Sequence, residues 1–302
     1  MGYRLAAEPA TVEAEAIDLA DLRLRSLRSL SANPRAFLRW AGSKRAVLPQ
    51  LVDVLPKRFK TYREPFLGSG SLFFLIRPQR AVLTDSCGEL ISTFLAVRDS
   101  PHGLLRYLAP LRPDKQTFYE MRANRSRGPV KRAAEFIYLN KTCWNGLYRV
   151  NARGEFNVPY GAPKSDFIVD PTNLRACSTA LGGSGVHLDV ANFEDAMRDV
   201  EKGDLVFLDP PYVTRHNNNG FVDYNERLFS WDDQIKAAEC AALAAEAGAH
   251  VIVTNAHHDD VLALYKGFTV QQLTRHSTLA STSAARGPVR EAILWKPGAL
   301  SS

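Results

Sequence analysis

The sequence predicts an open, mostly parallel α/β sheet covered by helices on both faces and interrupted by one inserted segment. Three observations carry this. Short apolar runs rich in branched and aromatic residues recur along the chain, as the buried strands of a parallel sheet do. Amphipathic stretches separate many of them, the alternation that builds strand–helix–strand crossovers. One interval, 106–184, breaks that rhythm.

In chain order, residues 1–33 read as a weakly tethered, flexible extension that is partly helical. Ile17, Ala20, Leu24 and Leu27 fall there at helical spacing, with Arg23, Arg25 and Arg28 beside them. Strands are predicted at 61–66, 81–85, 185–190, 205–209, 250–255, 269–274 and 291–295. Helices are predicted at 45–55, 89–97, 193–200 and 232–247, the last strongly alanine-rich. The interval 106–184 is first helical and then turns to a hairpin. Its strands would be 147–150 and 155–158, and Asn151-Ala152-Arg153-Gly154 its turn. The sheet-forming parts are therefore 34–105 and 185–298.

Composition narrows the class. With 302 residues, 45% of them hydrophobic and 23% charged, the chain reads as a soluble globular protein able to bury a core without staples. Cys87, Cys143, Cys177 and Cys240 share no CxxC spacing and no His/Cys cluster, which fits reduced thiols in a cytoplasmic protein without a metal. No apolar run reaches the ~18 residues a bilayer span needs. Glu8, Glu13, Glu15 and Asp18 occupy the places where a signal peptide would be basic and then apolar. Net charge is +6, and its distribution decides more than its size. Residues 106–164 hold 12 Lys/Arg against 4 Asp/Glu, and the remainder 26 against 28. A segment this lopsided favours a polyanion such as nucleic acid.

Three strand ends carry chemistry, and in an open α/β sheet ligands sit beyond the carboxyl ends of strands. Pro65-Phe66-Leu67-Gly68-Ser69-Gly70-Ser71 follows a strand and opens a helix. Its glycines allow a sharp turn and close approach to a ligand, but it lacks the full GxGxxG of dinucleotide binders. Asp85 ends the next strand, about 15 positions on. An acid there either caps a helix or accepts hydrogen bonds from ribose hydroxyls. Asp209-Pro210-Pro211-Tyr212 follows the apolar run Leu205-Val206-Phe207-Leu208. The prolines fix the backbone and remove two donors. Carbonyl acceptors then lie beside a carboxylate and an aromatic face, a set suited to an exocyclic amine on a flat ring.

These motifs resemble the Dam-type, or D12 class, DNA adenine-N6 methyltransferases. The resemblance runs from about residue 37 to 297. It includes Phe37-Leu38-Arg39-Trp40-Ala41-Gly42-Ser43-Lys44, with Ser43 where many relatives carry glycine. It also includes Tyr138-Leu139-Asn140-Lys141-Thr142-Cys143-Trp144-Asn145-Gly146-Leu147-Tyr148-Arg149 and Gly154-Glu155-Phe156-Asn157-Val158-Pro159-Tyr160-Gly161. The resemblance implies a Rossmann-like S-adenosylmethionine-dependent methyltransferase fold with a mostly parallel seven-stranded sheet. The helical and β-hairpin insertion, 106–184, would be its target-recognition domain. It implies a cytoplasmic enzyme, bacterial or phage-encoded, acting as a monomer on double-stranded DNA, without a metal. GATC is the target the resemblance suggests.

Carried over residue by residue, Trp40, Lys44, Pro65, Phe66, Gly68, Gly70, Ser71, Asp85 and Asp209 would bind S-adenosylmethionine. Asp209, Pro210 and Tyr212 would be catalytic: the Asp209 carboxylate and the Pro210 carbonyl accepting from N6, and Tyr212 stacking on adenine. Because N6 lies inside the duplex stack, the base must be flipped out. Trp144 is then either a wedge for the gap, with Asn145 beside it, or a core residue. Arg149 could read a guanine bidentately, and Leu147 and Pro159 could meet apolar base edges. Lys141 and Arg153 would contact phosphates. The loop His216-Asn217-Asn218-Asn219-Gly220 is either a lid over the flipped base or a connector, and 277–287 is a Ser/Thr-rich loop that in relatives lies near DNA. Cytosine N4 or a protein glutamine amide are competing substrates for such a motif, although the glutamine enzymes typically begin it with Asn. A non-catalytic DNA-binding relic is the remaining alternative.

Overall fold

A computed structural model of the chain describes residues 12–27, 34–213, 229–276 and 288–300. Two short strands, β1 (Glu15–Ala16) and β2 (Arg58–Phe59), pair antiparallel. The seven predicted runs become β3 (Tyr62–Glu64), β4 (Arg80–Asp85), β5 (Gly185–Val190), β6 (Leu205–Leu208), β7 (His250–Ala256), β8 (Thr269–His276) and β9 (Pro288–Lys296). They form one sheet in the order β5-β4-β3-β6-β7-β9-β8. The first five run parallel, and β9 is antiparallel to both its neighbours. Every residue of β6 is buried, which is why an unbroken apolar run rather than an alternating one encodes it.

Strand ends follow backbone chemistry. β3 stops at Glu64 rather than residue 66, because Pro65 has no N–H to give the ladder. β6 stops at Leu208, just before Asp209 and the two prolines. β8 and β9 outrun their predicted ends, pairing from Thr269↔Trp295 to His276↔Pro288.

The helices are α1 (Leu19–Leu27), α2 (Leu48–Val52), α3 (Ser71–Ile76), α4 (Gly88–Asp99), α5 (Pro101–Leu108), α6 (Lys115–Ala123), α7 (Pro129–Thr142), α8 (Pro171–Leu181), α9 (Phe193–Met197), α10 (Trp231–Glu246) and α11 (Asp259–Leu262). The single helix expected at 45–55 is a 3-10 turn, Lys44–Val47, followed by α2 with a proline in its first turn. Pro49 cannot donate back into the preceding turn, so the helix restarts there. Ser230 and Asp233 form a capping box at the start of α10, satisfying two otherwise orphaned donors.

In the N-terminal segment, α1 packs on α2 and α3. Of the predicted stripe, Ile17 packs against the core, but the helical part has another phase, with Ala20 exposed. Leu22 and Ser26 are buried, whereas Leu24 is 53% and Leu27 64% exposed. The arginines set the phase instead. Arg23 donates to the Pro49 carbonyl and pairs with Asp53 at 2.6 Å, and Arg25 donates to the Leu75 carbonyl at 2.8 Å. Arg28 lies outside the described residues.

Within 106–184, α7 packs against α4 and α5, and Phe136, Ile137 and Phe118 join Leu83 and Phe94 in one buried cluster. The predicted hairpin is present as a turn but not as strands. Asn151 closes the turn, its N–H on Glu155 O (2.9 Å) and its side chain taking the N–H of Arg153 and Glu155. Beyond that, only the isolated bridges Val150↔Phe156 and Cys143↔Tyr160 form. The Val150↔Phe156 bridge is made by the Asn151 N–H on Glu155 O and the Asn157 N–H on Arg149 O (3.0 Å).

Candidate active site

The order of the sheet reverses around β3. β4, the next strand in sequence, lies on one side, and β6, reached only after the insertion, lies on the other. Such a switch point opens a crevice beyond the carboxyl ends of the strands. Glu64, Asp85 and Asp209 stand at or just past those ends of β3, β4 and β6. Burial holds the Glu64 carboxyl well above the ordinary carboxylate range, the Tyr62 hydroxyl donating to it at 2.9 Å works against that rise, and the charges of Asp209 and Asp85 add to it. The three acids are thus close enough to feel one another.

The glycine loop is braced by the second of them. Asp85 accepts the Gly68 N–H at 3.0 Å on one oxygen and the Cys87 N–H at 2.9 Å on the other. Burial raises the Asp85 carboxyl, and these two donors hold the rise down. Gly68 (φ 47°) and Gly70 (φ 63°) occupy left-handed backbone, which side-chain-bearing residues avoid. A Cβ at Gly68 would stand 2.9 Å from the Trp40 ring, so Trp40 lies directly against the loop. The hydroxyls of Ser43, Ser69 and Ser71 form a triangle with sides of 3.0, 3.0 and 2.8 Å. Ser43 therefore enters the hydrogen bonding of this loop. Pro65 is buried at its start, and Phe66 stacks on Phe193 at 5.3 Å between centroids.

Asp209 is held from two sides. Lys44 Nζ lies 2.6 Å from one carboxylate oxygen, with the two side chains 5% and 18% exposed, and Thr254 donates to the other at 2.7 Å. Burial raises the Asp209 carboxyl, and Lys44 and then Thr254 oppose it. A carboxylate offers about four lone-pair positions, so acceptor capacity remains. The same ammonium sits 5.0 Å from the centre of the Tyr212 ring. The proline turn is anchored behind: Gln234 donates to the Pro211 carbonyl at 2.6 Å and accepts from Asn255 at 3.0 Å. Thr254, Gln234 and Asn255 were missed in the sequence, although a polar pair ending the apolar run of β7 was the available sign.

Of the insertion residues, Arg149, Arg153 and Pro159 are exposed, and Trp144, Asn145 and Leu147 are half-buried. Arg149 Nε donates to Asn157 Oδ1 at 2.7 Å, so its exposed guanidinium is tied across the turn. Asn145 has φ 52°, and the Trp144 N–H is tied to the Pro159 carbonyl at 2.9 Å. Lys141 is half-buried. Burial, then Arg39, Arg35 and Arg45, lower its ammonium to about 8. Tyr148 was also missed: it stacks on Trp40 at 5.7 Å and 20°. The two loops read as a lid or connector and as a DNA-proximal segment, His216 to Gly220 and 277–287, lie outside the described residues. Among the described residues no helix is long and apolar enough to cross a membrane, and no group of three or more His, Cys, Asp or Glu could hold a metal ion.

Known proteins resemble this chain over most of its length. The chain is 32% identical over 280 residues to the type II methyltransferase M1.LlaDCHI of Lactococcus lactis subsp. cremoris, covering 90% of this chain and 99% of that one. It is 34% identical over 263 residues to the type II methyltransferase M.MjaIII of Methanocaldococcus jannaschii, covering 79% and 90%. It is 30% identical over 276 residues to the DNA adenine methylase of Escherichia coli (strain K12), covering 88% and 97%. Residues 40–279 match the family described as D12 class N6 adenine-specific DNA methyltransferase. With its seven-stranded sheet and its acids gathered at the switch point, the chain belongs to that family of DNA methyltransferases.

Proposed function

We propose that the methyl donor is S-adenosylmethionine, that the substrate is an adenine flipped out of double-stranded DNA, and that the site residues act as follows. The observation that carries the reading is the gathering of Glu64, Asp85 and Asp209 at one switch point, with Asp209 keeping acceptor positions beside Lys44 and Thr254. The residues fit the donor. Its sulfonium and ammonium against one carboxylate leave it net positive, and the Asp85 carboxylate, held by two amides rather than by a cation, supplies the complementary sign. Asp85 can accept from ribose hydroxyls beyond the two amides it already holds. Trp40 gives an aromatic wall, Lys44 lines the cleft, and Pro65, Phe66, Gly68, Gly70 and Ser71 shape the loop around the methionine part.

When bound, S-adenosylmethionine supplies a methyl carbon already activated for displacement. The protein then has mainly to position the nitrogen. Asp209 and the Pro210 carbonyl accept hydrogen bonds from the N6 hydrogens, which draws the lone pair out of the ring and stabilises charge developing on nitrogen. Tyr212 stacks on the base. The proton leaves after transfer, and no covalent enzyme intermediate is needed.

Segment 106–184 acts as the target-recognition domain beside the catalytic part formed by 34–105 and 185–298. Arg149, with Leu147 and Pro159, reads bases in the major groove. Lys141 and Arg153 hold phosphates. Trp144 and Asn145 fill the gap left by the flipped base. GATC is the proposed target, and the enzyme is proposed to work in the cytoplasm as a monomer on DNA. The test is transfer of labelled methyl from S-adenosylmethionine to plasmid DNA, with methylated positions mapped by sequencing. Label should appear on adenine N6 within GATC and vanish with Asp209→Ala. Label on cytosine, or undiminished label with the variant, overturns the assignment.

A further inference from the structure

Trp40 and the glycine loop form the donor side of the cleft, and Arg149 stands on the turn proposed to read DNA. The two are mechanically joined. Tyr148, next to Arg149 in the chain, lays its ring on Trp40 at 5.7 Å and 20°. Its hydroxyl donates to Glu89 at 3.1 Å. Glu89 sits in the first turn of α4, just past Asp85, the residue that holds the Gly68 N–H. Trp40 in turn lies against Gly68. With the short stretch of chain from Asp85 to Glu89, these contacts close a ring: glycine loop, Asp85, Glu89, Tyr148, Trp40 and back to the loop.

Glu89 is fixed from behind. Its other oxygen takes Arg125 at 2.6 Å and Arg132 at 2.7 Å, and Arg125 also pairs with the buried Glu135 at 3.2 Å. A carboxylate clamped by two guanidinium groups is a firm anchor for a phenol, because charge-assisted hydrogen bonds are about twice as strong as neutral ones. Nothing in the proposed methyl transfer uses Glu89, Arg125, Arg132 or the Tyr148 hydroxyl.

We propose that Tyr148 and Glu89 are positioning residues that make donor binding and DNA binding reinforce each other. The inference rests on the functional reading above. A donor packed against Trp40 restrains Tyr148, and so restrains the backbone that carries Arg149. DNA gripping Arg149 restrains Trp40 in the opposite sense. The ordering of this shared wall is then needed once for two ligands, which is positive cooperativity without a large conformational change.

The test measures the dissociation constant of S-adenosylhomocysteine by calorimetry, for protein alone and for protein saturated with a GATC-containing duplex. The parent should bind it at least about fivefold tighter on DNA, and by reciprocity the duplex should bind tighter by the same factor. Tyr148→Phe keeps the ring on Trp40 and removes only the hydroxyl. It should bring the ratio below about twofold, beyond whatever fall in melting temperature the lost hydrogen bond causes. Glu89→Gln, which keeps an acceptor but loses the clamp, should give an intermediate ratio. A plain loss of stability would weaken both binding steps and leave their ratio alone. A parent ratio of one, or an undiminished ratio in both variants, overturns the proposal while leaving the functional reading intact. Failure of the parent to bind either ligand overturns that reading and this inference with it.

Discussion

Replacing Lys44 by Met keeps the stem of the side chain and removes the ammonium 2.6 Å from Asp209. Both partners are mostly buried, at 5% and 18% exposure, so solvent does little to replace the lost charge. Breaking one partner out of a buried pair costs about 3–5 kcal/mol if the survivor stays ionised. Asp209 can escape that cost by taking up a proton. At about 1.4 kcal/mol per pKa unit, the escape corresponds to an upward shift of roughly 2–4 units. The carboxyl is already raised by burial, with Lys44 the largest opposing influence, so the shift adds to a rise already present. A protonated Asp209 has one acceptor fewer and a donor aimed at N6, and catalysis should fail. The assay is kcat at saturating donor and DNA from about pH 5 to pH 9, since the profile of kcat reports groups in the bound complex. The acid limb should move upward by at least about 2 units. The variant's native state would also bind more protons than its unfolded state above the unfolded pKa, so its stability should fall as pH rises through that window. A variant with lower kcat but an unmoved acid limb would refute the reasoning, since Lys44 would then act on the donor and not on Asp209.

Thr254→Val removes the second restraint on Asp209, a hydrogen bond of 2.7 Å. Single-turnover methylation should slow about tenfold, with DNA affinity unchanged by fluorescence anisotropy. Asp85→Ala frees the Gly68 and Cys87 amides. At about 1.5–3 kcal/mol for each hydrogen bond to a charged group, the KM for S-adenosylmethionine should rise tenfold or more, while the dissociation constant of the duplex measured without donor stays fixed. Lys141, lowered to about 8 by burial and by Arg39, Arg35 and Arg45, should regain its proton when a phosphate approaches. DNA affinity should therefore fall as pH climbs above about 8, and Lys141→Met should flatten that slope in anisotropy titrations. Arg149→Ala should cost about 1–3 kcal/mol of discrimination, read as the ratio of kcat/KM on a GATC duplex to that on a duplex changed at the guanine.

What the sequence made legible was local. β6 could be found because a strand buried on both faces has no polar residue to interrupt it, and its end could be found because Pro210 and Pro211 cannot pair. Gly68 and Gly70 marked a turn because their backbone is left-handed. Periodicity runs a helix through Pro49, which splits it, and makes strands of 147–150 and 155–158, where a single bridge forms. A missing donor, the absent N–H of Pro49, explains the first of these differences.

The misread phase of α1 and the unseen partners of Asp209 share a different cause. Helical spacing says which residues share a face, but not which face meets the protein. For α1, Arg23 and Arg25 reach acceptors on α2 and α3 and turn Leu24 outward, even though burying Leu24 would by itself be favourable. Lys44 presents the same problem at the site. Taken alone it is a surface lysine in a short 3-10 turn, and the motif that ends on it points to the cofactor and not to Asp209. Its role exists only because β3 and β6 are neighbours in the sheet, which brings the segment before β2 over the end of β6. The acids of a switch point can be read from strand ends. The cation that opposes the rise of Asp209 has to be read from the topology.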